Sequence, residues 1–236
     1  MTAATFSRNL LLTVLLLVAA TGAIAVTGTD LTLSARFAAK GNWTVGYYPF
    51  WQFFYKIDRI PSLVLGISGL FLAMAGYVTP RYALWKRRGL FLVVLLIIGP
   101  GLLVNTVFKQ HWGRPRPREV VEFGGTKTFL QPWQKGVSGG GRSFPSGHAS
   151  AAFYLTSPYF VYRRTNRRAA RQWLFGGLAF GVLMSMARIT QGGHFLSDCL
   201  WAWGVVQIVA LILAFMLKPD LPEPLPGNDP DQSCFS

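Results

Sequence analysis

Three short stretches hold most of the rare polar chemistry of an otherwise apolar chain: Lys109-x6-Arg116-Pro117, Pro145-Ser146-Gly147-His148 and Arg188-x5-His194-x3-Asp198. They contain two of the three histidines, and Asp198 is the only acid within residues 123–219. One lysine, two arginines, two histidines and one carboxylate make a set suited to phosphoryl transfer without a metal. Lys109, Arg116 and Arg188 could neutralise the equatorial oxygens of a transferring phosphoryl group, arginine as a fork and lysine as a point charge. Ser146 and Gly147 open an apolar segment, where backbone N–H groups at a helix start can hold an anion. Gly147 also lets the backbone approach closely. His194 and Asp198 are four residues apart, so on a helical turn they share a face. A carboxylate against one ring nitrogen would fix the tautomer and free the other nitrogen to attack. Spacing alone leaves open which histidine attacks. Arg114 and Arg118 read as solvated loop charges, and His111 as a loop or interface residue.

Such a cluster needs a frame. The chain has 236 residues, 51% hydrophobic and 14% charged, against roughly 25% charged in an ordinary soluble domain. Six apolar segments, at 9–27, 60–78, 89–108, 145–162, 173–191 and 199–217, are each about long enough to cross ~30 Å of hydrocarbon as a helix. The expected fold is all-α, a six-transmembrane-helix bundle over residues 1–218. The fourth segment is the least apolar, since Ser146, His148, Ser150, Thr156 and Ser157 interrupt it. The first has a rival reading as a signal peptide; its apolar run outlasts a typical signal core, which predicts a retained helix. Residues 219–236, with five prolines, read as a disordered cytoplasmic tail. The net charge of +14 would suggest nucleic acid in a soluble protein; here it belongs to loops facing anionic lipid and to an anion site, so no nucleic acid is expected. Cys199 and Cys234 have no zinc-type spacing with histidine, and no metal or cofactor is expected.

Loop charge sets the orientation. Residues 79–88 and 163–172 carry nine positive charges in twenty residues and no acid, which places them in the cytoplasm. Loops 28–59 and 109–144 carry eleven positive charges in sixty-eight residues, so density separates the sides. This topology puts all three motifs on the outer face. Residues 43–55 hold eight aromatics. They read either as an interfacial belt or as a half-buried segment that helps admit a lipid to the site.

Taken together, the three motifs resemble the signature of the type 2 phosphatidic acid phosphatase superfamily, which also includes bacterial lipid phosphatases and vanadium haloperoxidases. The resemblance runs over residues 100–198. It implies His194 as nucleophile, His148 as general acid, Asp198 as the partner that orients His194, and Lys109, Arg116, Ser146, Gly147 and Arg188 as phosphate ligands. It also implies a phosphohistidine intermediate hydrolysed by water. One departure is Ala187, where the pattern usually has Ser; a lost hydroxyl removes about 1 kcal/mol, so activity should survive. More locally, Gly99-Pro100-Gly101, the run from Lys109 to Pro117, and Gln191-Gly192-Gly193-His194-Phe195 resemble bacterial lipid A 4′-phosphatases. That implies a lipid A or phospholipid substrate, a bacterial inner membrane and a site facing the periplasm. Phosphatidylglycerophosphate, undecaprenyl diphosphate and phosphatidic acid are the other candidate substrates. Two further classes stay open. A transporter or channel for an anionic lipid or ion would use the cations but not an oriented nucleophile. A vanadate-dependent peroxidase fits the anion site, but the six spans argue against it.

Overall fold

In lipid, a backbone must satisfy its own hydrogen bonds, so long apolar runs become helices. A computed structural model describes residues 1–39, 41–79 and 82–221. Its α-helices are α1 (Ala3–Val26), α2 (Thr29–Ala35), α3 (Pro49–Lys56), α4 (Ile60–Val78), α5 (Ala83–Leu96), α6 (Lys109–His111), α7 (Gly147–Phe153), α8 (Pro158–Tyr162), α9 (Arg167–Thr190) and α10 (Leu196–Leu217). No strand occurs among the described residues beyond two isolated bridges. Among the described residues, five helical stretches are long and apolar enough to cross a membrane: Ala3–Thr27, Pro49–Val78, Trp85–His111, Arg167–Thr190 and Leu196–Leu217.

The fourth predicted span is not a continuous helix. Residues 147–162 form α7, a 3₁₀ turn at Tyr154–Thr156, and α8. Local chemistry explains the breaks. The hydroxyls of Ser150 and Thr156 donate to the carbonyls of Gly147 and Phe153, and Pro158 lacks a backbone donor. The segment nevertheless runs the length of α10. At one end the Ser146 N–H donates to the Asp198 carbonyl at 3.1 Å. At the other, Arg163 Nε meets Asp220 Oδ2 at 3.0 Å.

α1 packs along α10. Leu17 is buried against Gly204, Trp201 Nε1 donates to Thr21 Oγ1 at 3.0 Å, and the rings of Phe6 and Phe215 stack. α4 and α5 pack through glycines: a Cβ on Gly89 would lie 2.3 Å from the Gly69 carbonyl oxygen, and such close approach is how helices associate in lipid. After α5 the chain winds more widely over Ile97–Phe108, a π-type stretch around Pro100. Asn105 Nδ2 donates to the Pro100 carbonyl at 2.7 Å, five residues back. This winding delivers Lys109 to the bundle end. The predicted tail starts on a fixed point, because Asp220 is buried and pairs with both Arg163 and Arg164. Residues 222–236 lie outside the described residues.

Candidate active site

The three motifs meet where α6, α7, the end of α9 and the start of α10 converge. Ser146 caps α7, its Oγ accepting from the Ala149 N–H at 3.3 Å. A Cβ on Gly147 would lie 2.4 Å from Asn105 Oδ1 and 2.9 Å from Lys109 Nζ, so nothing larger than glycine lets the lysine in. A Cβ on Gly193 would lie 2.5 Å from Arg188 Nη2. Arg188 is 6% exposed; its guanidinium sits 5.0 Å above the Tyr55 ring and hydrogen-bonds Gln191. The charges of Lys109 and Arg188 act on both His194 and His148, and Arg116 acts on Lys109 and Arg188. All eight residues singled out from the sequence are thus gathered. Beside them opens a cavity of about 730 Å³, lined by Arg59, Lys109, Arg142, Gly147 and His148, and by apolar Leu63, Leu96 and Leu102.

Asp198 pairs with His194 at ion-pair distance, but the nearer acceptor is a backbone carbonyl. His194 Nδ1 lies 2.7 Å from the Ser143 carbonyl oxygen and 3.7 Å from Asp198 Oδ2. The carboxylate is engaged elsewhere because it sits in the first turn of α10, where unpaired backbone donors need an acceptor. Its Oδ2 accepts from the Phe195 N–H at 2.8 Å and from Ser143 Oγ at 2.5 Å. Asp198 therefore also acts on His194 through Ser143. A carbonyl only accepts, so Nδ1 carries the proton and Nε2 keeps its lone pair. His194 is 1% exposed. Burial, with the positive charge of Lys109 and Arg188, holds its ring well below the ordinary histidine range, at about 3, even though Asp198 opposes them.

Arg114 corrects the sequence reading. It is not a solvated loop charge but fully buried, with Nη1 donating to Asp198 Oδ1 at 2.6 Å and to Ser197 Oγ at 2.7 Å. Its Nε donates to the Leu130 carbonyl at 2.8 Å, and its Nη2 to Asp30 Oδ2 at 2.8 Å. Asp30, on α2, also accepts from the Ser197 N–H at 2.9 Å. Nothing local distinguishes Arg114 from its neighbours Arg116 and Arg118. The usable signal was scarcity: Asp30 and Asp58 are the only acids in the first 118 residues. Both prove to be partners of site groups.

Asp58 is the partner of His148, its Oδ2 lying 3.2 Å from Nε2. The His148 ring stacks on Tyr55 at 5.6 Å between centroids and 21° between planes. The aromatic segment is mixed in its burial. Tyr47, Phe50 and Phe53 are exposed, while Phe54 is buried and Trp43 lies under Gly192. Gly192 has φ +61°, and a Cβ there would lie 2.4 Å from Trp43 Cε2, so glycine is needed on two counts.

The cations are not neutralised by acids. Lys109, Arg116 and Arg188 make no ion pair among the described residues, in contrast to Arg114. The Nε atoms of Arg116 and Arg188 are buried without a hydrogen-bond partner among the described residues. Burial lowers the Arg116 guanidinium from its ordinary range. Among the described residues, no three His, Cys, Asp or Glu side chains are grouped to hold a metal ion.

Residues 89–220 match the PAP2 superfamily. The chain is 32% identical over 165 residues to the lipid A 4′-phosphatase of Francisella tularensis subsp. novicida (strain U112), covering 69% of this chain and 73% of that protein. It is 38% identical over 120 residues to the lipid A 4′-phosphatase of Rhizobium leguminosarum, covering 50% of each chain. It is 24% identical over 159 residues to phosphatidylglycerophosphatase B of Bacillus subtilis (strain 168), covering 65% of this chain and 69% of that protein. No solved structure matches the chain. The matched stretch holds all three motifs, with Lys109, Arg116 and Arg188, and the chain belongs to the PAP2 superfamily.

Proposed function

We propose that this protein is a metal-independent lipid phosphatase that works through a phosphohistidine on His194, with the 4′-phosphate of lipid A as its substrate. The observation that carries the reading is the surplus of buried, unneutralised donors. Lys109, Arg116 and Arg188 converge with the Ser146-Gly147 helix start, and no carboxylate of the chain pairs with them among the described residues. An anion with several oxygens is the ligand such a site lacks.

The chemistry follows from the two rings. His194 Nε2 attacks phosphorus while the ester P–O bond breaks, and His148 delivers a proton to the leaving oxygen. Water then attacks the phosphohistidine, and the P–N bond breaks to release phosphate. The three cations and the α7 N–H groups neutralise the equatorial oxygens in both steps. Positive charge comes from side chains, so no divalent cation is invoked.

The segment 147–162 makes the sixth crossing in this reading, since it runs from Asp198 to Asp220 beside α10. Loops 79–88 and 163–172 then lie in the cytoplasm and the site faces the periplasm of a bacterial inner membrane. The site sits at the headgroup level, where a lipid is concentrated by about 0.8 kcal/mol for each buried methylene. The exposed face of residues 43–55 lies against the same bilayer surface and helps admit the lipid. A transporter of anionic lipid would need the cations, but not a histidine fixed with a free Nε2.

The relatives named for lipid A in Francisella and Rhizobium support lipid A as the substrate; the Bacillus relative supports phosphatidylglycerophosphate as the alternative. Mass spectrometry of lipid A from cells expressing the protein should show loss of the 4′-phosphate. An unchanged bis-phosphorylated species, with brisk phosphate release from phosphatidylglycerophosphate or undecaprenyl diphosphate, would replace the substrate and keep the chemistry. Phosphate release from no lipid would remove both.

A further inference from the structure

The groups that act most strongly on His148 are cations and a neutral ring. Arg188, Lys109, Arg59 and His194 act on it, and Tyr55 stacks against it. Asp58 is the one carboxylate within ion-pair distance of His148 among the described residues. It stands in the short turn between α3 and α4, with its side chain 17% exposed, and Arg59 Nε lies 3.5 Å from the same Oδ2. None of the three motifs includes it.

We propose that Asp58 is a positioning residue for His148: its carboxylate, at ion-pair distance from Nε2, favours the protonated ring that the acid step needs. A neutral ring that gave up Nε2–H would be left as imidazolate, so the acid must be the imidazolium, and among the described residues Asp58 is the one carboxylate close enough to stabilise that charge. The arrangement is the reverse of His194, where the Ser143 carbonyl claims Nδ1–H and leaves Nε2 bare. Two histidines of one site are thus set to different protonation states, His194 neutral with a bare Nε2 and His148 cationic, by two acceptors from different parts of the chain. His148 also lines the cavity beside Arg59, so its proton is held at the edge of the space a substrate enters.

The proposal rests on the phosphatase reading and adds one exchange to it. The leaving oxygen replaces Asp58 at Nε2 and takes the proton of the His148 imidazolium, leaving that ring neutral, as the ester P–O bond breaks and the P–N bond to His194 forms. In the second half, the attacking water gives its proton back to His148 as the P–N bond breaks, and Asp58 resumes its contact. A turn residue with part of its side chain exposed can make that exchange; a carboxylate locked like Asp198 could not.

Leaving-group dependence reads this role, because an acid matters for a poor leaving group and hardly for a good one. Two phosphate monoesters with the same hydrocarbon chain serve as probes, one of an alkyl alcohol and one of a nitrophenol. Asp58→Ala should lower kcat on the alkyl ester by about 100-fold and leave the nitrophenyl ester within about threefold. Asp58→Glu should restore most of the alkyl activity. In a His148→Ala background, Asp58→Ala should add no further loss. Equal losses on the two esters, or an undiminished Asp58→Ala effect without His148, would overturn the proposal. Wild-type protein inert on both esters and on the natural lipids would overturn the phosphatase reading instead.

Discussion

His194 and His148 carry the same ring in contrasting surroundings. His194 is almost completely buried, and its Nδ1 is tied to the Ser143 carbonyl. Behind it stands a network of Asp198, Arg114, Ser197 and Asp30, drawn from three separate parts of the chain. His148 has a fifth of its side chain exposed and rests on Tyr55 and Asp58, both from the segment that enters α4. The difference matches what each has to do. A nucleophile gains from a fixed line of attack, which a locked rotamer and supporting hydrogen bonds supply. A proton donor must release what it holds and take it back, which a contact at the wet edge permits. The contrast also shows that ionic partners alone do not mark function. Arg114 is paired twice and buried, so it builds the support, whereas Arg116 and Arg188 keep buried donors without partners.

The contrast can be broken most directly at His194. His194→Asn keeps an N–H for the Ser143 carbonyl but removes Nε2, so the fold should survive and turnover should fall by roughly 10⁴-fold or more. Phosphate release from natural lipid measures it, and substantial activity in the purified variant would end the nucleophile assignment. His148→Ala should cost less, about 10²- to 10³-fold on alkyl esters. Quenched-flow detection of phosphoenzyme should show it forming slowly rather than not at all. Equal behaviour of the two variants would erase the distinction between them.

Support can be tested separately from chemistry. Arg114→Ala leaves Asp198 and Asp30 buried without their cation and should destabilise the protein by about 3–5 kcal/mol, read as a lower melting temperature in detergent. A variant as stable as the parent would show that the network is not what holds His194.

Acid should expose the same burial. An unfolded His194 binds a proton below about 6.5, while the folded ring does so only near 3. Between those values the unfolded state carries the extra proton, so stability falls as pH falls, by about 1.4 kcal/mol per unit. Above 6.5 the contribution is absent. Melting curves at pH 7 and pH 5 should show a smaller drop for His194→Asn than for the parent. The smallest effect expected is from chelation: EDTA should leave turnover unchanged, since Lys109, Arg116 and Arg188 supply the positive charge, and Mg2+-dependent recovery would show the site to be misread.

Legibility followed range. Lys109, Arg116, Ser146, Gly147, His148, Arg188, His194 and Asp198 were readable because each acts with neighbours a few residues away, beside the end of an apolar run. Arg114, Asp30 and Asp58 were not, since each partner lies far off in the chain: Arg114 is 84 residues from both Asp30 and Asp198. The Ser143 carbonyl was invisible for another reason, as every residue has one. The fourth span was readable as an apolar stretch but not as a broken one. Ser150, Thr156 and Pro158 mark where hydroxyls and a missing donor compete with regular winding.

The sequence by itself determined the apolar spans and the content of the site, because both depend on side-chain chemistry and on spacing along a single helix. Hydrocarbon admits a helix of a given length whatever its neighbours do, and a helix start offers its N–H groups wherever it lies. Only the tertiary structure decided which acceptor faces which ring nitrogen, and which arginine is buried among acids. Those outcomes turn on a few tenths of an ångström between segments far apart in the chain, and on burial, which only the packed bundle defines. That is why the donors and the acid were visible at once, while the partners that set the protonation of the two histidines waited for Ser143 and Asp58 to be placed.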